Sequence, residues 1–490
     1  MNNSGDAIFA LATANLRSAL HLHRLSGNGV FSLLSPYLFF PKSSLPVRLD
    51  SLVQGQNHPV TRYIHIQDEL GSLLDDVILT CFPNPHSFTG EDVVEISTHG
   101  NPLVSAKLHS LFRKIGMREA KPGEFTQRAV LYGKLDLAQA EGIHELICAE
   151  SFGALDLARN NMVGILSQET LAIREELIAL SAYLEAHIDF APDEVGHYDA
   201  KQFLPQVYQI KNKLISLSQT YENGLKIREG VKIVLAGKPN SGKSSLYNAL
   251  LKQEKAIVTN IPGTTRDVLE DKLLIENKEF VLLDTAGIRS TSDEVEKIGV
   301  SRTFENLKKA DIICYLISAP DTDIHSKLFL NEIKNFLHEG AINFQKQKIL
   351  VVFTKKDLFS SEVASEFFHK AQSSFLNEFS SSDESVPELL FLSQSHFDDL
   401  KKILLQFYSK IFEKTDTKNS PMLISQRQKD KVLSALQFIQ DSERLMSAND
   451  FPEKIASLLQ SARVALEEIV GEISVDNVFE KVFSSFCIGK

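Results

Sequence analysis

The residues best suited to chemistry are Gly237-Lys238-Pro239-Asn240-Ser241-Gly242-Lys243-Ser244, a Gly-x-x-x-x-Gly-Lys-Ser pattern. Small residues let backbone N–H groups close around a phosphate, the Lys243 ammonium reaches the β and γ oxygens, and the Ser244 hydroxyl can hold Mg²⁺. Such a cradle needs a strand before it and a helix after it. The apolar run Val231-Lys232-Ile233-Val234-Leu235-Ala236 supplies the strand, and Ser245-Leu246-Tyr247-Asn248-Ala249-Leu250 supplies the helix, whose N-terminus adds positive potential. The pattern predicts a nucleoside triphosphate site.

Four later segments refine this. Ile261-Pro262-Gly263-Thr264-Thr265-Arg266-Asp267 offers hydroxyls that could complete a Mg²⁺ shell, and Asp284-Thr285-Ala286-Gly287 follows the apolar run 280–283. There Asp284 could orient Mg²⁺ and the Gly287 N–H could reach a γ-phosphate. Each alone reads equally well as a surface turn, but their order supports a shared site. Thr354-Lys355-Lys356-Asp357 follows the run 349–353 and resembles the N-K-x-D guanine motif with Thr in place of Asn. An acceptor-only carboxylate at Asp357 suits the guanine N1–H and amine, whereas adenine offers no such pair of donors. GTP is therefore expected over ATP, and an ATP-dependent kinase is disfavoured. Thr354 is expected to forfeit the amide that braces the phosphate loop. In Ser393-Gln394-Ser395, the Gln394 N–H could meet guanine O6.

The elements that must position these residues follow from the rest of the chain. Its 490 residues suggest about three domains. With 43% hydrophobic and 23% charged residues the composition is that of a globular protein, and a net charge of −11 argues against a chain that coats nucleic acid. The four cysteines, with no C-x-x-C pair, disfavour a disulfide framework or zinc site. A cytoplasmic protein without membrane insertion is expected, since the early apolar run 30–40 is too short to span a bilayer. The runs 76–82 and 92–97 between turn signals predict a small α+β domain over 1–120. Leu177, Leu180, Leu184 and Ile188, then Ile210, Leu214, Leu217 and Tyr221, predict helices in 121–228. Runs at 280–283, 312–317, 349–353 and 389–392 predict buried strands of a mostly parallel sheet over 229–413. Helical spacing returns in 414–490 with Val432, Leu436 and Ile439, then Ile455, Leu458, Ala462, Leu466 and Ile469. A P-loop α/β domain inserted into a helical domain is the expected architecture.

The G-motif segments, the tract 284–299 and the terminal Phe486-Cys487-Ile488-Gly489-Lys490 together resemble the MnmE (TrmE) family of tRNA-modification GTPases. So do Ser87-Phe88-Thr89-Gly90-Glu91-Asp92, Lys121-Pro122-Gly123-Glu124-Phe125-Thr126, Lys134-Leu135-Asp136-Leu137-Ala138-Gln139-Ala140-Glu141 and Tyr183-Leu184-Glu185-Ala186-His187-Ile188-Asp189-Phe190. The resemblance implies an N-terminal folate-binding domain that dimerises, a split helical domain and a heterotetramer with the FAD-carrying flavoprotein MnmG (GidA). The implied reaction places an aminomethyl or carboxymethylaminomethyl group on the wobble uridine of certain tRNAs. Its one-carbon unit would come from a tetrahydrofolate, in the 5,10-methylene or 5-formyl form.

The resemblance also implies residue roles. Asn240, Ser241, Gly242, Lys243, Ser244 and Ser245 would bind GTP with Thr259, Asn260, Ile261, Pro262, Gly263, Thr264, Thr265, Asp284, Thr285, Ala286, Gly287, Thr354, Lys355 and Asp357. Mg²⁺ would sit on Ser244 and Thr265, and K⁺ on Asn240, Thr259, Ile261 and Thr264. Glu296 would orient the attacking water, although alone it reads as an exposed helix-face residue. Arg24, Glu95, Lys134 and Lys490 would contact folate. Cys487 would either pack near Phe483 and Phe486 or act in the transfer chemistry. One departure stands out: the family has a Gly-rich N-terminus, whereas no glycine lies between Gly5 and Gly27 here. Any turn requiring positive φ would then be strained or rebuilt. The alternative function is a GTPase switch of ribosome-assembly or signalling kind with a scaffold N-terminal domain.

Overall fold

A computed structural model describes residues 6–254, 270–283, 305–322, 328–339, 342–343, 346–379, 387–393, 397–413, 420–472, 482–484, 486 and 488–489. Two compact units emerge. One comprises Met1–Ile147, Asn161–Ile215 and Arg427–Lys490; the other comprises Cys148–Asn160 and Ser216–Gln426.

The first unit opens with a seven-stranded sheet. Its strands are β1 (Ile8–Leu11), β2 (Leu20–Ser26), β3 (Leu38–Phe39), β4 (Val60–Gln67), β5 (Leu73–Phe82), β6 (Val93–His99) and β7 (Arg118–Glu119). They lie in the order β3-β4-β5-β6-β2-β1-β7, antiparallel except for the β1–β7 pair. Alternation puts Val77, Leu79 and Cys81 of β5 on one face, where they join Val94 and Ile96 of β6 and Leu108, Leu111 and Phe112 of the helix Pro102–Lys114 in a single core. Asn101 starts that helix, its side-chain oxygen accepting from the Leu103 N–H.

A buried polar network fastens Asp6, which precedes β1, and Glu91 to the helix Glu124–Leu131. The Arg128 guanidinium donates to Glu91 Oε2 at 2.9 Å, Glu124 Oε1 at 3.0 Å and Asp6 Oδ1 at 2.8 Å. Burial would raise the Glu124 carboxyl, but hydrogen bonds from Arg118, the Lys121 N–H and Arg128 outweigh it and bring it down to about 2. The glycine-poor stretch causes no left-handed strain, because no residue from 6 to 26 adopts positive φ. The local backbone is built without the turns that would need glycine.

Helices from both sides of the second sheet's sequence meet in the first unit. The helix Ile165–Asp189 packs along Pro452–Val470, and Lys211 pairs with Glu443 at 2.6 Å. The Glu141 carboxylate accepts from Arg427 Nε and Nη2, each at 2.9 Å. Leu177, Leu180 and Leu184 are buried as their spacing requires, whereas Ile188 is exposed near that helix's end. The helical domain is thus assembled from segments on either side of the α/β portion of the chain.

The second unit holds a six-stranded sheet in the order β13-β12-β11-β8-β10-β9. Its strands are β8 (Val231–Ala236), β9 (Glu270–Ile275), β10 (Lys278–Leu283), β11 (Ile312–Ser318), β12 (Lys348–Thr354) and β13 (Glu388–Phe391). All neighbouring pairs are parallel except β9–β10. Their near-continuous apolar sequences are explained by cores on both faces, one including Ile233, Leu235 and Phe407 and the other Val234, Val351 and Phe375. Among the described residues, no helix is long and apolar enough to cross a membrane.

Candidate nucleotide site at the carboxyl end of β8

β8 lies inside the parallel sheet, and the loop leaving its carboxyl end leads into the helix Lys243–Glu254. That is where open α/β sheets bind ligands. The loop needs two left-handed positions besides Gly242: Gly237 at φ 139° and Asn240 at φ 62°. A Cβ at Gly237 would stand 2.2 Å from the Leu316 carbonyl oxygen, so the loop can lie against β11 only with glycine there.

A cleft of about 290 Å³ opens over the loop. Asn240, Gly242, Lys243, Ser244 and Ser245 line one side, and Thr354, Lys355, Leu392, Ser393 and Phe397 the other. A helix leaves its first N–H groups without intrahelical acceptors, and here they belong to cleft-lining residues. The Lys243 ammonium donates to the carbonyls of Gly237 at 2.8 Å and Lys238 at 2.6 Å, which orients it along the loop. Burial pushes this ammonium below the usual lysine range. An added anion would offset that desolvation, so the group suits a phosphate.

The base-side loop begins at Thr354, the last residue of β12. Thr354 Oγ1 donates to the Ser241 carbonyl at 2.9 Å and approaches the Ile317 carbonyl at 3.3 Å. The expected loss of the brace is therefore corrected: a buried hydroxyl ties the two loops together without the amide. Lys355 follows in the left-handed region at φ 64°, and the Lys356 N–H donates to the Leu392 carbonyl at 3.1 Å. Asp357 is exposed in the turn Lys356–Leu358.

The structure thus brings together residues 240–245 with Thr354 and Lys355, and it places Asp357 on the same loop. Sequence reasoning missed Leu392 and Phe397, which line the cleft without belonging to any motif. Thr259, Asn260, Ile261, Pro262, Gly263, Thr264, Thr265, Asp284, Thr285, Ala286, Gly287, Glu296 and Gln394 lie outside the described residues.

A second group of expected site residues sits on the first sheet. Arg24 of β2 and Glu95 of β6 are direct cross-strand partners, and Arg24 Nε and Nη2 reach Glu95 Oε1 at 2.8 and 2.7 Å. The guanidinium carbon lies 5.7 Å from the Phe88 ring centroid and 5.9 Å from that of Phe125. Those rings were legible only as parts of longer motifs. Lys134 Nζ donates to the Pro85 carbonyl at 2.8 Å. Cys487 and Lys490 lie outside the described residues, while Phe483 and Phe486 beside them join Leu137 and Ala140 in a small core.

A phosphate loop at a parallel sheet's carboxyl edge, facing a Thr-Lys-Lys-Asp loop, defines a guanine-nucleotide-binding type of P-loop protein. Comparison with known proteins narrows this. Residues 7–134 match the family model described as GTP-binding protein TrmE N-terminus, and residues 137–487 match the MnmE helical domain. The tRNA modification GTPase MnmE of Aquifex aeolicus is 36% identical over 99% of this chain and 100% of its own length. Those of Flavobacterium johnsoniae and Thermotoga maritima are 34% and 32% identical, each over 99% of this chain and 99% and 100% of their own lengths. The chain belongs to the MnmE (TrmE) family.

Proposed function

We propose that the chain is a GTP-hydrolysing tRNA-modification enzyme. In this reading it works in the cytoplasm as a homodimer and, in a heterotetramer with the FAD-dependent MnmG, modifies C5 of the wobble uridine of certain tRNAs. The group installed is aminomethyl or carboxymethylaminomethyl, built with a tetrahydrofolate one-carbon unit. The observation that carries the reading is the join between the phosphate loop and the base loop through Thr354, in a chain that aligns with its relatives along their whole length.

In this reading the site residues divide the hydrolytic work among them. Backbone N–H groups of 240–245 and Lys243 hold the β and γ phosphates, and Asp357 takes the guanine N1–H and amine. Water attacks the γ-phosphorus while the bond to the bridging oxygen breaks, leaving GDP and phosphate. Glu296 orients that water. Lys243 offsets the charge that develops on the phosphate oxygens. Asn240 and Ser244 line the cleft, and their side-chain oxygens suit hard cations. Ser244 with Thr265 would hold Mg²⁺, and Asn240 with oxygens of Thr259, Ile261 and Thr264 would hold K⁺. When bound, these ions neutralise charge on the phosphates.

The one-carbon chemistry lies elsewhere. Arg24, Glu95, Lys134 and Lys490 are assigned to the folate, and the half-buried Arg24–Glu95 pair between two aromatic rings suits a flat, polar-edged pterin. Cys487 is a candidate for the transfer step. Turnover of GTP and ATP by the purified protein in KCl tests the nucleotide half of the reading. GTP hydrolysis with little ATP hydrolysis is expected, and equal rates would contradict it.

A further inference from the structure

The Arg24 guanidinium has a third partner. Its Nη1 donates to the Gly489 carbonyl at 3.2 Å, across 465 positions of sequence. Glu95 fixes the other side of the guanidinium through Nε and Nη2, and the Phe88 and Phe125 rings flank it. Of the five guanidinium N–H groups, Glu95 takes two, on Nε and Nη2, and Gly489 takes one on Nη1.

Gly489 is itself constrained. It adopts φ 96°, and a Cβ there would stand 2.9 Å from the Leu11 carbonyl oxygen and 3.0 Å from Ala12 Cα. The tail backbone therefore lies directly on the end of β1, at a distance that excludes any side chain. Three residues earlier, Phe486 stacks on His144 with ring centroids 4.6 Å apart. Its N–H donates to the Phe483 carbonyl at 3.0 Å.

We propose that Arg24 is a positioning residue for the C-terminal tail: held by Glu95, it latches the Gly489 carbonyl and so seats the tail backbone at Gly489 on the end of β1. The latch stands on this geometry whether or not the neighbouring residues take a folate. It gives Arg24 a role through the tail beside the folate contact proposed for it.

Peptide-resolved hydrogen–deuterium exchange over 482–490 tests it in the full-length protein. Losing a charge-assisted hydrogen bond on a half-buried carbonyl predicts that Arg24→Gln raises tail exchange about tenfold. Arg24→Lys restores part of the protection. Gly489→Ala leaves Arg24 and Glu95 intact, yet it is expected to release the tail equally. Titration of 5-formyl-tetrahydrofolate separates the two roles. Release of the tail alone in Gly489→Ala is expected to weaken binding, and Arg24→Gln, which also removes the direct contact, weakens it further. Unchanged tail exchange in Arg24→Gln or in Gly489→Ala would overturn the latch. If the wild type binds no 5-formyl-tetrahydrofolate, the folate reading fails and the exchange result alone decides.

Discussion

Thr354 Oγ1 donates to the Ser241 carbonyl at 2.9 Å, so the loop facing the base and the loop facing the phosphates are joined through one buried side chain. Affinity for the two ends of a nucleotide is thereby made interdependent. Thr354→Val is isosteric but leaves the Ser241 carbonyl without this donor, at a cost of about 1–3 kcal/mol. GDP affinity measured by fluorescent-nucleotide titration is expected to fall about tenfold or more, and Thr354→Ser is expected to preserve it. Equal affinities for the valine and serine variants would show that the hydroxyl does not matter.

Gly237 sets the approach of the phosphate loop to β11. With a Cβ only 2.2 Å from the Leu316 carbonyl oxygen, Gly237→Ala must move the loop. Nucleotide binding is expected to be lost, with a stability decrease of about 1–3 kcal/mol seen in thermal unfolding. Retained binding would place the phosphates elsewhere.

At Asp357 the expected effect is on specificity. Asp357→Asn replaces an acceptor with an amide that can also donate, which favours the xanthine edge over guanine. Competition between GTP and xanthosine triphosphate should reverse in the variant. An unchanged preference would reject Asp357 as the base reader.

How legible was this in the sequence? The phosphate loop and the runs that became β10, β11, β12 and β13 were readable because a strand buried on both faces is apolar along its length. Helical stripes such as Leu177, Leu180 and Leu184 were readable for the corresponding reason. The antiparallel β9 escaped notice, because Glu270-Asp271-Lys272 begins it with three charges. β2 was hidden too: His21 and His23 are completely buried, and polar residues satisfied by hydrogen bonds do not announce a core. The Thr354 brace was unreadable because it depends on a distance between loops, not on a residue type.

His23 makes stability depend on pH. His21 Nδ1 lies 2.7 Å from Ser105 Oγ, and His23 Nδ1 lies 3.3 Å from His109 Nε2. Burial, then the neighbouring His109 and His21, push His23 down from 6.5 to about 3. The unfolded chain therefore binds a proton that the folded chain refuses between those values. Stability is full above pH 6.5 and falls progressively as pH drops toward 3. Thermal melts across this window should show that slope, reduced in His23→Gln. A slope unaltered by the substitution would assign it to other groups.

The buried ion network gives a stability prediction. Arg128→Met leaves Glu91, only 2% exposed, without its cationic partner, at a cost of about 3–5 kcal/mol. Denaturant unfolding should show this loss. A change below about 1 kcal/mol would show that the pairing of Arg128 with Glu91 adds little to stability.

The central claim joins nucleotide hydrolysis to tRNA chemistry, and one measurement reaches both. Mass spectrometry of wobble uridines in tRNA from cells lacking this chain, complemented with wild type or with Lys243→Ala, compares the two directly. The account predicts 5-substituted uridine restored by wild type and absent with Lys243→Ala. Fully modified tRNA in cells lacking the chain, or full restoration by Lys243→Ala, would contradict it.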